Sequence, residues 1–439
     1  MRAKLSRQLY SALMAMARPF LRQKLARRAR AEPLYGQFVE ERFGHYQHAS
    51  QENWIWIHAV SLGETRTAGI LLKSLRESMP GMKLLLTHGT ATGREEGQKL
   101  LQTGDVQVWQ PWDSPEVVRR FFQAFRPQIG LIMETEVWPN WIHMAPLFHV
   151  PLILVNARMS EKSMTQALRW PSLMCTAFKG LSHVWAQTRD DQERLLKLGA
   201  HVSGVFGNLK FDAKPDVSQM VLAQQWRSRA RRPVVMLASS REGEEQMWLD
   251  AVQNHLRHNS GLTIDWLIVP RHPQRVAEVE ALILSQGWRV SRRSSWGDAG
   301  PKVQQNDSGS PCIMLGDSLG EMALYYSFAQ VALLGGSFEK LGGQNLIEAA
   351  ACGCPVVMGP HTFNFLEAAQ AAESSGAAVR VPHMKEAIDT ACVLALDAHQ
   401  HSALSEKAKQ FAQAHGGATQ RTAQAVRGYL NQIKDSKAH

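Results

Sequence analysis

What most constrains this chain is an alternation repeated along its length. Short aliphatic or β-branched runs end in polar residues, and each is followed by apolar residues at helical spacing. The densest example is Trp54 to Thr65. Trp54 to Val60 predicts a buried strand, Ser61-Leu62-Gly63-Glu64 the turn that ends it, and Ala68, Leu71, Leu72 and Leu75 one face of a helix. Comparable runs follow at 83–87, 106–109, 128–133, 151–155 and 183–186, and beyond residue 232 at 234–238, 266–269, 312–315, 331–334 and 356–358. Strand and helix at this interval imply α/β architecture with parallel sheets covered on both faces. At 439 residues the chain exceeds what one core normally supports. The expected division is a terminal segment 1–31, a first α/β domain 32–213, a Pro- and Arg-rich linker 214–232, and a second α/β domain 233–439 with closing helices. The polar stretch between Trp288 and Ser310 is expected to be a surface loop.

Charge is unevenly placed. Arg2, Lys4, Arg7, Arg18, Arg22, Lys24, Arg27, Arg28 and Arg30 carry nine of the 49 basic side chains, and residues 1–30 hold no acidic one. The remaining 40 basic residues face 39 acidic ones, so the body is almost neutral. A nucleic-acid partner, which calls for a basic surface on the folded body, is not expected. Leu5, Leu9, Leu13 and Met16 share a helical stripe among those cations, and Phe20, Leu21 and Leu25 continue it past Pro19. Such a segment suits an anionic membrane surface, where each nearby cation contributes about 1 kcal/mol. A solvated helix packed on the body is the simpler alternative. No apolar run is long enough to span a bilayer. The five cysteines form no CxxC pair and read as reduced thiols rather than a disulfide framework or zinc site.

Several chemistries lose weight for want of their motifs. The chain has no G-x-G-x-x-G after a strand, no P-loop, no H-E-x-x-H and no Asp-x-Asp. It does carry polar groups at strand ends in both halves. In the first half these include Glu64, Met133-Glu134-Thr135-Glu136, Asn156-Ala157-Arg158 and Gly207-Asn208-Leu209-Lys210. In the second they include Ser239-Ser240-Arg241-Glu242-Gly243-Glu244, Pro270-Arg271, Asp317-Ser318-Leu319-Gly320-Glu321 and Gly335 to Phe365. Many such ends on one edge of two sheets describe a cleft between two facing domains. Each group has a plainer use. Glu64 could cap its helix, Gly342-Gly343 could form a tight turn, and Arg271 and Lys210 could be surface cations. Alternatively, Gly342-Gly343 and the helix expected near Gln344 offer N–H groups to a phosphate, with Glu348 one turn on for a ribose.

Taken together, Glu41-Arg42-Phe43-Gly44, Ile57 to Thr65, Met133 to Asn140, Asn156-Ala157-Arg158, Gly207 to Asp212, Val269 to Pro273 and Met358 to Phe365 resemble the 3-deoxy-D-manno-octulosonic acid (Kdo) transferases acting on lipid A precursor. The resemblance implies a GT-B architecture, two Rossmann-like domains facing across a cleft, and a metal-independent, inverting transfer from CMP-Kdo, with no cofactor. By the same resemblance Glu64 would be the general base, and Glu134 and Lys210 would stabilise the transition state. Pro270, Arg271, Leu319, Gly320, Glu321, Asn345, Leu346, Ile347 and Glu348 would bind CMP. The chain departs from the family pattern at Asn345-Leu346-Ile347-Glu348, where a proline is usual after the Asn, and at Arg241, where a histidine is usual. The implied partners are CMP-Kdo, the lipid A precursor and an anionic membrane, on the cytoplasmic side of the inner membrane. The alternatives are another GT-B sugar-nucleotide enzyme and an inactive membrane-bound nucleotide-binding scaffold. An unperturbed glutamate, with a pKa of about 4.3, would be fully ionised at neutral pH.

Overall fold

The computed structural model describes residues 2–47, 53–259, 264–301 and 312–438. The loop expected between Trp288 and Ser310 lies outside the described residues from 302 onward. The chain divides into two compact units, one formed by Met1–Asp212 with Gly416–His439 and the other by Ala213–His415.

The first unit holds a parallel seven-stranded sheet of β1 (Trp54–His58), β2 (Lys83–His88), β3 (Val106–Trp109), β4 (Ile129–Met133), β5 (Leu152–Ala157), β6 (His183–Ala186) and β7 (Val202–Val205), in the order β3-β2-β1-β4-β5-β6-β7. The second unit repeats the plan with β8 (Val234–Ser240), β9 (Asp265–Pro270), β10 (Arg289–Arg292), β11 (Cys312–Leu315), β12 (Val331–Leu334), β13 (Val356–Met358) and β14 (Ala378–Arg380), ordered β10-β11-β9-β8-β12-β13-β14. Both faces of each sheet are covered, so β1, β4, β5 and β12 are buried at every residue and apolar except for His58 and Asn156.

Three strands escape the pattern of apolar runs. β7 (Val-Ser-Gly-Val), β10 (Arg-Val-Ser-Arg) and β14 (Ala-Val-Arg) are short and polar, and each is an outermost strand. An edge strand pairs on one side only and needs little apolar surface, so it leaves a weak signal. β10 lies inside the stretch read as a loop.

Two boundaries also differ from expectation. Residues Val217–Arg229, inside the presumed linker, form a helix capped by the Asp216 carboxylate, with Ala223 and Trp226 buried in the second unit. The closing helix Ala418–Ala438 belongs to the first unit rather than the second. Its Ala418, Ala423, Val426 and Leu430 pack with Leu71, Leu72 and Ile129. The Asp212 carboxylate receives the N–H groups of Gly417 and Thr419 at the start of that helix. An apolar helix face shows in a sequence; which sheet it covers does not.

The amino-terminal helices α1 (Arg2–Met16) and α2 (Arg18–Ala29) differ in what they turn inward: α2 buries Leu25 beside Tyr35 and Trp109, so Leu25 does not continue the expected outward stripe, whereas α1 buries no residue and makes polar contacts with the body. Ser11 Oγ donates to Asn140 Oδ1 at 2.8 Å, and Arg18 reaches Ser114 and Glu116. The outward face carries Leu5, Leu9, Leu13, Met16 and Phe20, each more than half exposed. Among the described residues no helix is long and apolar enough to cross a membrane.

Gly130 shows how tightly the first sheet is packed. It lies in β4 between Trp56 of β1 and Leu152 of β5, and a Cβ there would come within 2.5 Å of Leu152 Cδ2 and 2.8 Å of Trp56 Cε3. Gly130→Ala is expected to destabilise the first unit by about 1–3 kcal/mol. A lower urea midpoint at unchanged slope, followed by tryptophan fluorescence, would show it.

Candidate active site

In the first unit the strand order reverses between β1 and β4, and the crevice outside their carboxyl ends is where ligands bind in open α/β sheets. Glu64 follows β1 and Glu134 follows β4, so both expected carboxylates flank that crevice.

Glu64 stands in the first turn of α3 (Leu62–Ser78). Its own N–H donates to Ser61 Oγ at 3.3 Å, while the Ser61 hydroxyl donates to Glu64 Oε1 at 2.9 Å and the Val60 N–H to Oε2 at 2.8 Å. This is a reciprocal cap of the S-x-x-E kind, so the plainer use of Glu64 holds. The cap does not exhaust it. Burial first, and then the charges of Glu134 and Glu136, push its pKa up to about 7 against the pull of the two donors. The expectation of a fully ionised carboxylate gives way to one that titrates near neutrality, because the sequence carries no measure of desolvation.

Glu134 adopts a left-handed backbone, φ 59°, rare outside glycine. Its N–H donates to Val155 O at 3.0 Å and its carbonyl accepts from the Arg158 N–H at 3.3 Å. Lys210 comes from the far side of the sheet, in the 3-10 turn Leu209–Asp212 after β7, and its Nζ lies 3.1 Å from Glu134 Oε1. Glu136 is held by the Trp138 indole N–H at 2.9 Å, and burial raises its pKa.

His58 and His88 lie beneath this edge, fully buried. Burial lowers both to a pKa of about 3, so they are neutral at physiological pH and donate no proton to the crevice. His58 Nδ1 is 2.8 Å from Thr87 Oγ1, and His88 Nδ1 is 3.1 Å from Ala59 O, so they support the backbone before the Glu64 turn.

In the second unit the order reverses between β8 and β12. Gly335, just past β12, lies so close to β8 that a Cβ would sit 2.3 Å from Ser239 O. The Glu244 carboxylate accepts from the N–H groups of Arg241, Gly336 and Phe338, tying the loops after β8 and β12 into one platform. Pro270 closes β9. The Arg271 N–H donates to Ser240 O at 3.0 Å and its Nε to Gln344 Oε1 at 3.1 Å, which joins Pro270-Arg271 to the turn before Asn345. The helix expected near Gln344 is Leu346–Ala351, with Asn345 as its cap through the Ile347 N–H at 3.1 Å. Leu346 and Ile347 are 1% exposed, so their side chains are core and only their backbone is available to a ligand. Glu348 is half-buried in the first turn.

Leu319, Gly320 and Glu321 follow β11. Leu319 is exposed, Gly320 has φ 79°, and Glu321 is gripped by Arg293 at 2.9 Å and by Ser318. Arg241 is paired with Glu242 at 2.9 Å. Thus Glu64, Glu134 and Lys210 all stand in the first unit and the nine nucleotide-binding candidates in the second. The supporting roles of Ser61, Asn156 and Glu244 were not read from the sequence, although the S-x-x-E spacing was there to signal the first.

Residues 37–213 match the family model described as 3-Deoxy-D-manno-octulosonic-acid transferase (kdotransferase). The chain is 44% identical to the 3-deoxy-D-manno-octulosonic acid transferase of Bordetella pertussis over 383 residues, covering 86% of this chain and 87% of that one. It is 30% identical to that of Haemophilus influenzae over 364 residues, 82% and 83% of the two chains. Among solved structures, a glycosyltransferase from Rickettsia africae shares the fold at TM-score 0.55 and 13% identity, covering 87% of this chain and 99% of that one. The UDP-GlcNAc 2-epimerase of Neisseria meningitidis does so at TM-score 0.55 and 14% identity, covering 86% and 100%. The two doubly wound units form a GT-B fold, and with 44% identity across most of its length the chain belongs to the 3-deoxy-D-manno-octulosonic acid transferase family.

Proposed function

We propose that this protein transfers Kdo from CMP-Kdo to a hydroxyl of a lipid A precursor, with inversion and without a metal ion. The observation that carries the reading is the Glu64 carboxylate at a strand-order reversal, with a pKa of about 7 and the Glu134–Lys210 pair beside it. A base of that pKa accepts a proton from an acceptor hydroxyl with the greatest efficiency at neutral pH. As the hydroxyl oxygen bonds to the anomeric carbon of Kdo, its proton passes to Glu64 and the CMP phosphate leaves from the opposite face. Lys210 and Glu134 orient and balance charge around the reacting centre. In the second unit Arg271 and the backbone N–H groups near Asn345 take the developing charge of CMP, the task a divalent cation performs elsewhere. Pro270, Leu319, Gly320, Glu321, Leu346, Ile347 and Glu348 complete the nucleotide site in this reading.

The acceptor is bisphosphorylated and carries acyl chains, so it resides in a membrane. The outward apolar stripe of α1, continued by Phe20 of α2 and fringed by cations, suits peripheral attachment to an anionic surface such as the cytoplasmic face of an inner membrane. Incubation with CMP-Kdo and a tetraacylated lipid A precursor, in detergent with EDTA, is expected to yield acceptor heavier by one or more Kdo units by mass spectrometry. Unchanged acceptor in the presence of bound CMP would overturn the reading in favour of an inactive scaffold. Activity appearing only on adding metal would overturn the metal-free part alone.

A further inference from the structure

We infer that Asn156 is a positioning residue for the Glu134–Lys210 pair, acting through a β-bulge at the carboxyl end of β5. This rests on the function proposed above.

The pairing of β5 with β6 runs Ile153 to His183 and Leu154 to Val184, then resumes at Ala157 with Ala186, so β5 carries one extra residue there. Asn156 sits in that bulge with φ 54°. Bulges of this kind favour glycine, which meets no steric cost at positive φ. An asparagine is retained here although glycine would relieve the backbone, so the use of the position lies in the side chain.

That side chain is 98% buried, and its Oδ1 accepts the N–H of Leu209 at 3.0 Å. Leu209 is the residue before Lys210 and opens the 3-10 turn that carries it. Asn156 therefore grips the Lys210 turn across the sheet edge. Its chain neighbours grip the other partner, since Val155 O and the Arg158 N–H hold both ends of Glu134. The Asn156 carbonyl is fixed in turn by Gln187 Nε2 at 2.9 Å, and its own Nδ2 finds no hydrogen-bond partner among the described residues. Left-handed backbone and an unsatisfied buried donor are both unfavourable, and together they are kept where one residue connects the two halves of the ion pair.

The test is a double-mutant cycle on kcat with Asn156→Gly and Lys210→Ala, with Asn156→Asp as the conservative variant. Glycine keeps the bulge and loses the acceptor, whereas aspartate keeps an oxygen for the Leu209 N–H. Lys210→Ala is expected to lower kcat about 10²-fold or more. Asn156→Gly is expected to lower it about 10-fold or more with little change in KM for CMP-Kdo, and the double variant to fall no further than Lys210→Ala. Asn156→Asp should recover part of the loss. Asn156→Gly at the wild-type rate, or losses that multiply in the double variant, would overturn the inference while leaving the proposed function standing. Lys210→Ala at the wild-type rate would instead remove Lys210 from the mechanism, and the role of Asn156 with it. A thermal melt of each variant separates these outcomes from a simple failure to fold, which lowers stability without producing the non-multiplicative pattern.

Discussion

Glu64→Gln is expected to lower kcat by about 10² to 10⁴ while CMP binding to the second unit stays unchanged. Glutamine fills the same space and still accepts the Val60 N–H, so the cap survives and the base is lost. Stability should move the other way. Burial raises the folded-state pKa of Glu64 from 4.5 to about 7, so the folded state binds the proton more tightly than the unfolded chain. Its contribution is therefore most favourable below about pH 4.5 and is lost as pH rises through 7. At pH 8 the wild type bears the full cost of a buried charge and Glu64→Gln does not, so the variant should melt no lower than the wild type. A residue that only capped the helix would leave Glu64→Gln at full activity.

The pH profile offers an independent check on the same residue. In the wild type, kcat/KM should fall tenfold per unit below about pH 7 as Glu64 takes up its proton. Glu136→Gln removes one of the charges that raise this pKa and should move the acid limb down. Ser61→Ala removes a donor to the carboxylate and should move it up. An acid limb near pH 4, or one indifferent to both changes, would remove Glu64 from the rate-limiting proton transfer.

Leu9→Asp combined with Leu13→Asp is expected to weaken binding to anionic vesicles by about a hundredfold or more, since burying a leucine contributes about 1.5–3 kcal/mol. Both side chains are more than half exposed, so the fold should not change. Co-sedimentation with vesicles of mixed neutral and anionic phospholipid reads the effect, and the residual binding should fall with added salt. Unchanged sedimentation would mean that the stripe does not meet the membrane. The geometry makes this a sharp test. In α1 the Ser11 hydroxyl bonds Asn140 of the body while Leu5, Leu9 and Leu13 face outward, and Arg18 at the start of α2 reaches Ser114 and Glu116. A helix packed for stability alone would be turned the other way.

The two solved structures of similar fold, at 13% and 14% identity, speak to architecture alone. An epimerase and a glycosyltransferase share these two doubly wound units, so the fold does not choose between them. The choice rests on the family match and on the groups gathered at the sheet edges.

Local pattern was enough for the α/β class, the central strands and the polar strand ends, because each depends on neighbours within a few residues: β-branched runs, the polar turn residues that end them, apolar residues at helical spacing. What needed the folded chain were properties set by residues far apart. The polar edge strands β7, β10 and β14 exist because a neighbouring strand offers hydrogen bonds. The last helix returns to the first unit because its apolar face meets the surface of Leu71, Leu72 and Ile129 there. Lys210 reaches Glu134 across 76 residues through a bulge that no run of residues announces. The shift of Glu64 to about 7 follows from burial and from carboxylates on another strand, and desolvation is a property of the packed molecule rather than of any segment of it.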